Sequence, residues 1–173
     1  MIDAPMVRGD LERVFRAEYP RVVAVARRVL MDAVAAEDVA QEVFLGFARS
    51  GVAGPAAHGW LTVAAAHTAL NALRSDRRRA GREARVEADP VLTAPVVADA
   101  ADHALAGLER ARVRRGLAGL PRAQAVALVL RHSGATYAEI ADTLGIAPSG
   151  VGTTVRRAEA ALRKELTSDE PLR

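Results

Sequence analysis

Apolar residues recur along this chain at spacings of three and four, the period of a helix face. Leu11, Val14 and Phe15 open the pattern behind Asp10, an N-cap candidate. Val22, Val25, Ala26, Val29 and Leu30 continue it, and Pro20 marks a restart or a kink. A polar break at Met31–Asp32 precedes a second helix over about 35–48, with Val39, Val43, Phe44 and Phe47 as its apolar stripe. Residues 50–59 (SGVAGPAAHG) hold three Gly and one Pro and read as a loop. A third helix runs from about Trp60 into a cluster of arginines. Residues 85–101 carry two prolines, acids and small apolar residues, and predict a flexible linker. Helices resume near Asp102, with Leu105, Leu108, Val113 and Leu117, and start again after Leu120–Pro121 with Ala125, Leu128 and Val129. Leu128, Val129 and Leu130 read as core.

The stretch from Thr136 to Arg157 (TYAEIADTLGIAPSGVGTTVRR) is the most specific. Ile140, Ala141 and Leu144 give a short helix one apolar face, and Gly145 can end it in the left-handed conformation without a Cβ penalty. Pro148 suits the first turn of the next helix, where no N–H partner is needed, and Val151 and Val155 turn back toward the first. The small Ala141 lets the two helices cross closely. This is the outline of a helix-turn-helix, whose second helix lies in the DNA major groove; an ordinary helical hairpin has the same outline.

Composition adds a class. Of 173 residues half are apolar and six aromatic, which favours an all-α fold of two small helical domains: residues 1–84 as a three- to four-helix bundle, 85–101 as an acidic linker, and 102–173 around the helix-turn-helix. There is no cysteine, so disulfides and thiolate metal sites are excluded. The N-terminus has no basic stretch followed by an apolar run, and the longest apolar stretch, 61–73, is interrupted by His67 and Asn71. A cytoplasmic location is the expectation.

Charge is segregated. Arg74, Arg77, Arg78, Arg79, Arg82 and Arg85 cluster ahead of the acidic stretch, residues 86–109 carry five acids and no base, and residues 110–173 carry eleven bases against six acids. Two basic regions around an acidic one imply two nucleic-acid contacts, unless the arginines only solvate helix ends. No enzyme chemistry is indicated. His58, His67, His103 and His132 lack metal-ligand spacing and there is no Gly-rich phosphate loop, so no metal or cofactor is expected.

Two segments together resemble the extracytoplasmic-function (ECF) sigma factors of the bacterial sigma-70 superfamily. AEDVAQEVF (36–44) followed by GWLTVAAAHTALNALRSDRRR (59–79) looks like sigma region 2, and residues 117–166 look like region 4. The resemblance implies a factor that binds core RNA polymerase and directs initiation at promoters by recognising −10 and −35 elements. Asp38, Gln41 and Glu42 fall at i, i+3 and i+4, opposite Val39 and Val43. In the family that face docks on the β′ clamp helices of the polymerase; without the family it reads as a solvated face.

The Trp60 helix resembles the part of region 2 that opens the −10 element. Trp60 serves there as a strand contact or as a core anchor, His67 and Asn71 lie four apart for base edges, and Arg74, Arg77 and Arg78 would neutralise phosphates. The loop at 50–59 lies where the family captures a flipped base. Thr62, Val63 and Ala66 depart from the aromatic and basic residues usual after the Trp-Leu pair, which implies weaker strand opening. In the second domain Ser149, Gly150, Gly152, Thr153, Arg156 and Arg157 would face the −35 element, with Arg156 and Arg157 leading through phosphate contacts. The polymerase β flap is a further implied partner and an anti-sigma factor a possible one. The alternatives are a helix-turn-helix regulator, or a sigma-like interaction protein that does not open promoters.

Overall fold

The structure, a computed structural model, describes residues 8–52, 54–86 and 98–168, and every element among them is a helix. In the first half α1 (Arg8–Leu30), α2 (Ala33–Ser50) and α3 (Gly54–Val86) pack as a three-helix bundle. In the second, α4 (Ala98–Gly119), α5 (Arg122–His132), α6 (Tyr137–Leu144) and α7 (Pro148–Ser168) pack on one another, and α3 also lies against α4 and α5.

The bundle closes because its buried faces are small where helices meet. Ala57, Leu61, Ala65 and Ala69 recur every four residues along α3 and are all buried, so α1 and α2 approach its backbone closely. Val25, Ala26, Val29 and Leu30 of α1 and Ala36, Ala40 and Phe47 of α2 complete the core.

The helices differ from expectation in five places. Helix α1 begins at Arg8, so Asp10 sits in its first turn, 2.6 Å from Arg13, and does not cap it. The helix also runs unbroken through the exposed Pro20; packing against α2 and α3 outweighs one missing donor. Helix α2 starts at Ala33 under a true cap, the Asp32 carboxylate accepting from Ala35 N–H at 2.9 Å. The expected loop at 50–59 is helical from Gly54. Pro55 costs nothing in a first turn, Ala57 is buried, and His58 Nδ1 lies 3.1 Å from both Glu18 oxygens. At the expected linker, α3 continues to Val86 and α4 begins at Ala98; residues 87–97 lie outside the described residues.

The helix-turn-helix follows its local signals closely. Thr136 and Glu139 form a reciprocal capping box: Glu139 N–H donates to Thr136 Oγ1 at 3.2 Å and Thr136 N–H donates to the Glu139 carboxylate at 2.7 Å. Gly145 (φ 64°) is left-handed, and Ile146 N–H closes the helix end on Ala141 C=O at 3.0 Å. Val151, Val155 and Ala158 of α7 and Ile140 and Ala141 of α6 are buried.

Hydrogen bonds from the Thr136 backbone and side chain hold the Glu139 carboxyl below its ordinary value of 4.5. A depressed carboxyl stabilises the fold above its unfolded value and loses that contribution as pH falls through the folded one. Thr136→Ala should therefore cost about 1 kcal/mol near neutral pH, or about 2–4 °C in thermal melting. The gap to the parent should narrow below the ordinary carboxylate range; an equal gap at both pH values contradicts the capping assignment.

Candidate nucleic-acid interface

On α2, Val39 and Val43 are buried and Asp38, Gln41 and Glu42 are exposed, so the three polar residues share one solvent-facing side. Apolar surface continues that side, a feature the residue pattern alone did not reveal. Gln41 lines a groove of about 550 Å³ with Leu11, Phe15, Phe44 and Leu45. Leu45 is 58% exposed and Phe15 is 41% exposed, held by edge and tilted contacts with Phe44 and Tyr19 at 4.8 Å. Leu45 follows Gln41 by four residues and so breaks a polar face, the one sequence signal of this patch.

Along α3, Trp60 is half-buried with its ring 5.5 Å from Phe47, so it braces the bundle core. His67, Asn71 and Arg74 form one stripe, as their spacing predicts, but the stripe faces the second half of the chain. Arg122 Nη2 lies 2.9 Å from His67 Nδ1 and Arg122 Nη1 donates to Asn71 Oδ1 at 3.3 Å. Arg74 donates to the Leu120 carbonyl at 3.0 Å. A guanidinium only donates, so His67 Nδ1 must accept and the ring is neutral with its proton on Nε2. Desolvation, then the nearby Arg122 charge, lowers the His67 pKa from its usual 6.5.

One turn onward Asp76 pairs with Arg79 at 2.5 Å and with Arg114 of α4 at 3.4 Å, while Arg77 and Arg78 are exposed. Thr62 and Ala66 are buried, Thr62 donating to the His58 carbonyl at 2.9 Å. Val63, between them, is partly accessible.

On α7, Ser149, Thr153, Arg156 and Arg157 are exposed and Gly150 half-buried, opposite the Val151/Val155 stripe. Arg156 donates to Thr153 Oγ1 at 3.4 Å, which places both on one surface. Gly152 does not share it openly. It lies beside Tyr137, whose Cε2 a Cβ there would meet at 3.6 Å, an ordinary contact. Arg131, Tyr137, His132, Glu159 and Arg156 line a surface cleft of about 510 Å³, with the Arg131 guanidinium 5.6 Å from the Tyr137 ring centre. Arg131 and Tyr137 were not foreseen, because they sit on different helices and no spacing joins them.

Both halves of the chain resemble known proteins. The family description "Sigma-70 region 2" matches residues 14–79, and "Sigma-70, region 4" matches residues 110–162. The ECF RNA polymerase sigma factor SigK of Mycobacterium ulcerans (strain Agy99) is 35% identical over 149 residues, 83% of this chain and 78% of that protein. SigK of Mycobacterium tuberculosis (strain ATCC 25618 / H37Rv) is 32% identical over 183 aligned residues, 94% of this chain and 97% of its own. Among solved structures, the sigma factor RpoE in complex with the anti-sigma factor NepR from Bartonella quintana superposes with a TM-score of 0.50. It covers 93% of this chain and 99% of that one at 20% identity, a likeness of fold.

The Arg122–His67 contact requires a neutral ring, so its stabilisation is present above about 6.5 and lost as pH falls through the lowered folded value. In Arg122→Ala the His67 midpoint, followed by NMR, should rise toward 6.5. An unmoved midpoint places Arg122 away from the ring.

Proposed function

The chain belongs to the extracytoplasmic-function sigma factors of the sigma-70 superfamily, which are promoter-specific transcription initiation factors, and on that premise we propose how its surfaces divide the work. The first domain (1–84) docks core RNA polymerase through Asp38, Gln41 and Glu42 on the β′ clamp helices. Phe15 and Leu45 supply the apolar part of that contact. Charged and amide groups would steer the encounter and the apolar groove would hold it. The α3 stripe of His67, Asn71 and Arg74, with Arg77 and Arg78, takes the −10 strand, and Trp60 supports it from the core side.

The second domain (102–173) grips the −35 duplex through Ser149, Gly150, Thr153, Arg156 and Arg157, and Arg131 adds a further phosphate contact beside Arg156. The β flap is its polymerase partner, residues 85–101 tether the domains, and the work is done in the cytoplasm, where core polymerase is, without catalysis by this chain. RpoE of Bartonella quintana was solved with an anti-sigma factor; a protein antagonist of the same kind is the partner that reading suggests here.

The observation that carries the proposal is the pairing, in one chain, of an exposed Asp38/Gln41/Glu42 face in the first half with an exposed Thr153/Arg156/Arg157 surface on a helix-turn-helix in the second. The decisive experiment is run-off transcription with bacterial core polymerase over a genomic promoter library. The parent should give discrete transcripts, and none from a folded protein would defeat the reading. The triple substitution Asp38→Ala, Gln41→Ala, Glu42→Ala should weaken core binding about tenfold or more, roughly 1.4 kcal/mol, with helical CD unchanged. Equal binding removes the assignment.

Phosphate contacts make a second test. Arg156→Ala, Arg157→Ala or Arg131→Ala should each lower the salt dependence of duplex binding by about one unit of slope and weaken all sequences alike. An unaltered slope places that side chain off the DNA backbone.

A further inference from the structure

The solvent side of α2 is a stripe with an order of charge. Asp38, Gln41, Leu45 and Arg49 recur at spacings of three and four, with Glu42 beside them, and all are exposed. The acids come before Leu45 and the base after it, in the last turn of the helix. We propose that this stripe pairs with the same stripe of a second copy of the chain. The two α2 helices lie antiparallel about a two-fold axis at Leu45, so that the free protein stores its α2 face in a weak homodimer. The pairing stands on α2 itself; that it withholds the chain from polymerase rests on the reading of Asp38, Gln41 and Glu42 as docking residues.

A two-fold interface needs a patch that complements itself. Leu45 is a knob, and the groove of about 550 Å³ that it borders with Leu11, Phe15, Gln41 and Phe44 is a socket for the knob of the other copy. Antiparallel order also matches the charges. Glu42 and Arg49 lie on opposite sides of Leu45, about 4.5 and 6 Å along the helix at a rise of about 1.5 Å per residue. Two-fold symmetry therefore brings Arg49 of each copy level with Gln41 and Glu42 of the other. Parallel order would set acid against acid. These charges are available for the purpose. Asp38, Glu42 and Arg49 form no ion pair among the described residues, whereas Asp10 and Glu12 of neighbouring α1 are taken by Arg13 and Arg16, each at 2.6 Å.

The same features keep the pair weak. Helix α2 has 18 residues, so its face measures about 27 Å by about 10 Å. With the adjoining edge of α1 it falls short of the roughly 800 Å² per partner of a standard interface. Exposed ion pairs add little strength and fix direction and register instead. Apolar contact at Leu45 and Phe15 supplies the attraction. A dissociation constant on the order of 10 μM is the expectation, loose enough for a larger partner to displace one copy.

Sedimentation of the full chain is the test. Between about 1 and 500 μM the parent should pass from monomer to dimer and go no further, since a two-fold contact closes on itself. Leu45→Asp should raise the dissociation constant at least about tenfold, with helical CD unchanged. Charge reversal supplies the decisive sign. Arg49→Glu and Glu42→Arg should each raise the constant about tenfold or more, because like charges then face each other across the axis. An equimolar mixture of those two variants should dimerise as the parent does, since every facing pair is opposite again. Arg110→Glu, the same change of charge on exposed α4, should behave as the parent. Adding core polymerase should convert the dimer into complexes that hold one chain each.

A parent that stays monomeric to about 1 mM, or a mixture no better than its separate variants, overturns the pairing. Either result leaves the docking reading standing, because core binding by the triple-alanine variant is a separate measurement. A dimer that persists on core polymerase overturns the masking.

Discussion

Six residues in succession, Ala125 through Leu130, are buried, so the middle of α5 has no side for water. A helix without a polar face needs neighbours all round. It finds α6 and α7 on one side and α3 and α1 on the other. This single constraint joins the halves of the chain. It seats the helix-turn-helix on one flank of α5, sets the polar stripe of α3 against the other, and brings Arg122, at the exposed first turn of α5, onto His67 and Asn71.

Arginine is the currency of every surface that matters here. Its fixed fork of donors satisfies carbonyls, amides and neutral imidazole inside the closed chain as readily as phosphates outside it. Arg74 and Arg122 are the instructive cases, since the acceptors they meet are uncharged. An interface of this kind is specific in geometry. The α2 face differs. Its polar residues border the exposed Phe15 and Leu45, a mixture suited to a lasting protein contact.

Where signals are local, the residue pattern was sufficient. Thr136 with Glu139, Gly145 and Pro148 specify a cap, a left-handed stop and a restart within a few residues of one another, and the helix-turn-helix follows them. The same holds for the opposition of Asp38/Gln41/Glu42 to Val39/Val43, which is helix period alone. Local composition misled at 54–59, where Gly and Pro read as a loop. Burial of Ala57 and the Glu18–His58 contact, made by residues forty apart, hold that stretch helical. Thr62 and Ala66 face the core and Gly152 lies beside the Tyr137 ring, placements that spacing alone did not give.

The amino-acid sequence by itself determined the helices, their apolar sides, the helix-turn-helix and the family, because period, caps and motif order are properties of neighbouring residues. Tertiary structure alone decided what the polar sides meet. Leu128, Val129 and Leu130 read as core but not against what, since burial depends on surfaces far away in the chain. Only packing brought Arg122 to His67 across fifty-five positions, and Arg131, Tyr137 and Arg156 to one cleft. Side-chain pairing of that range is set by how helices cross, which no spacing within a helix records.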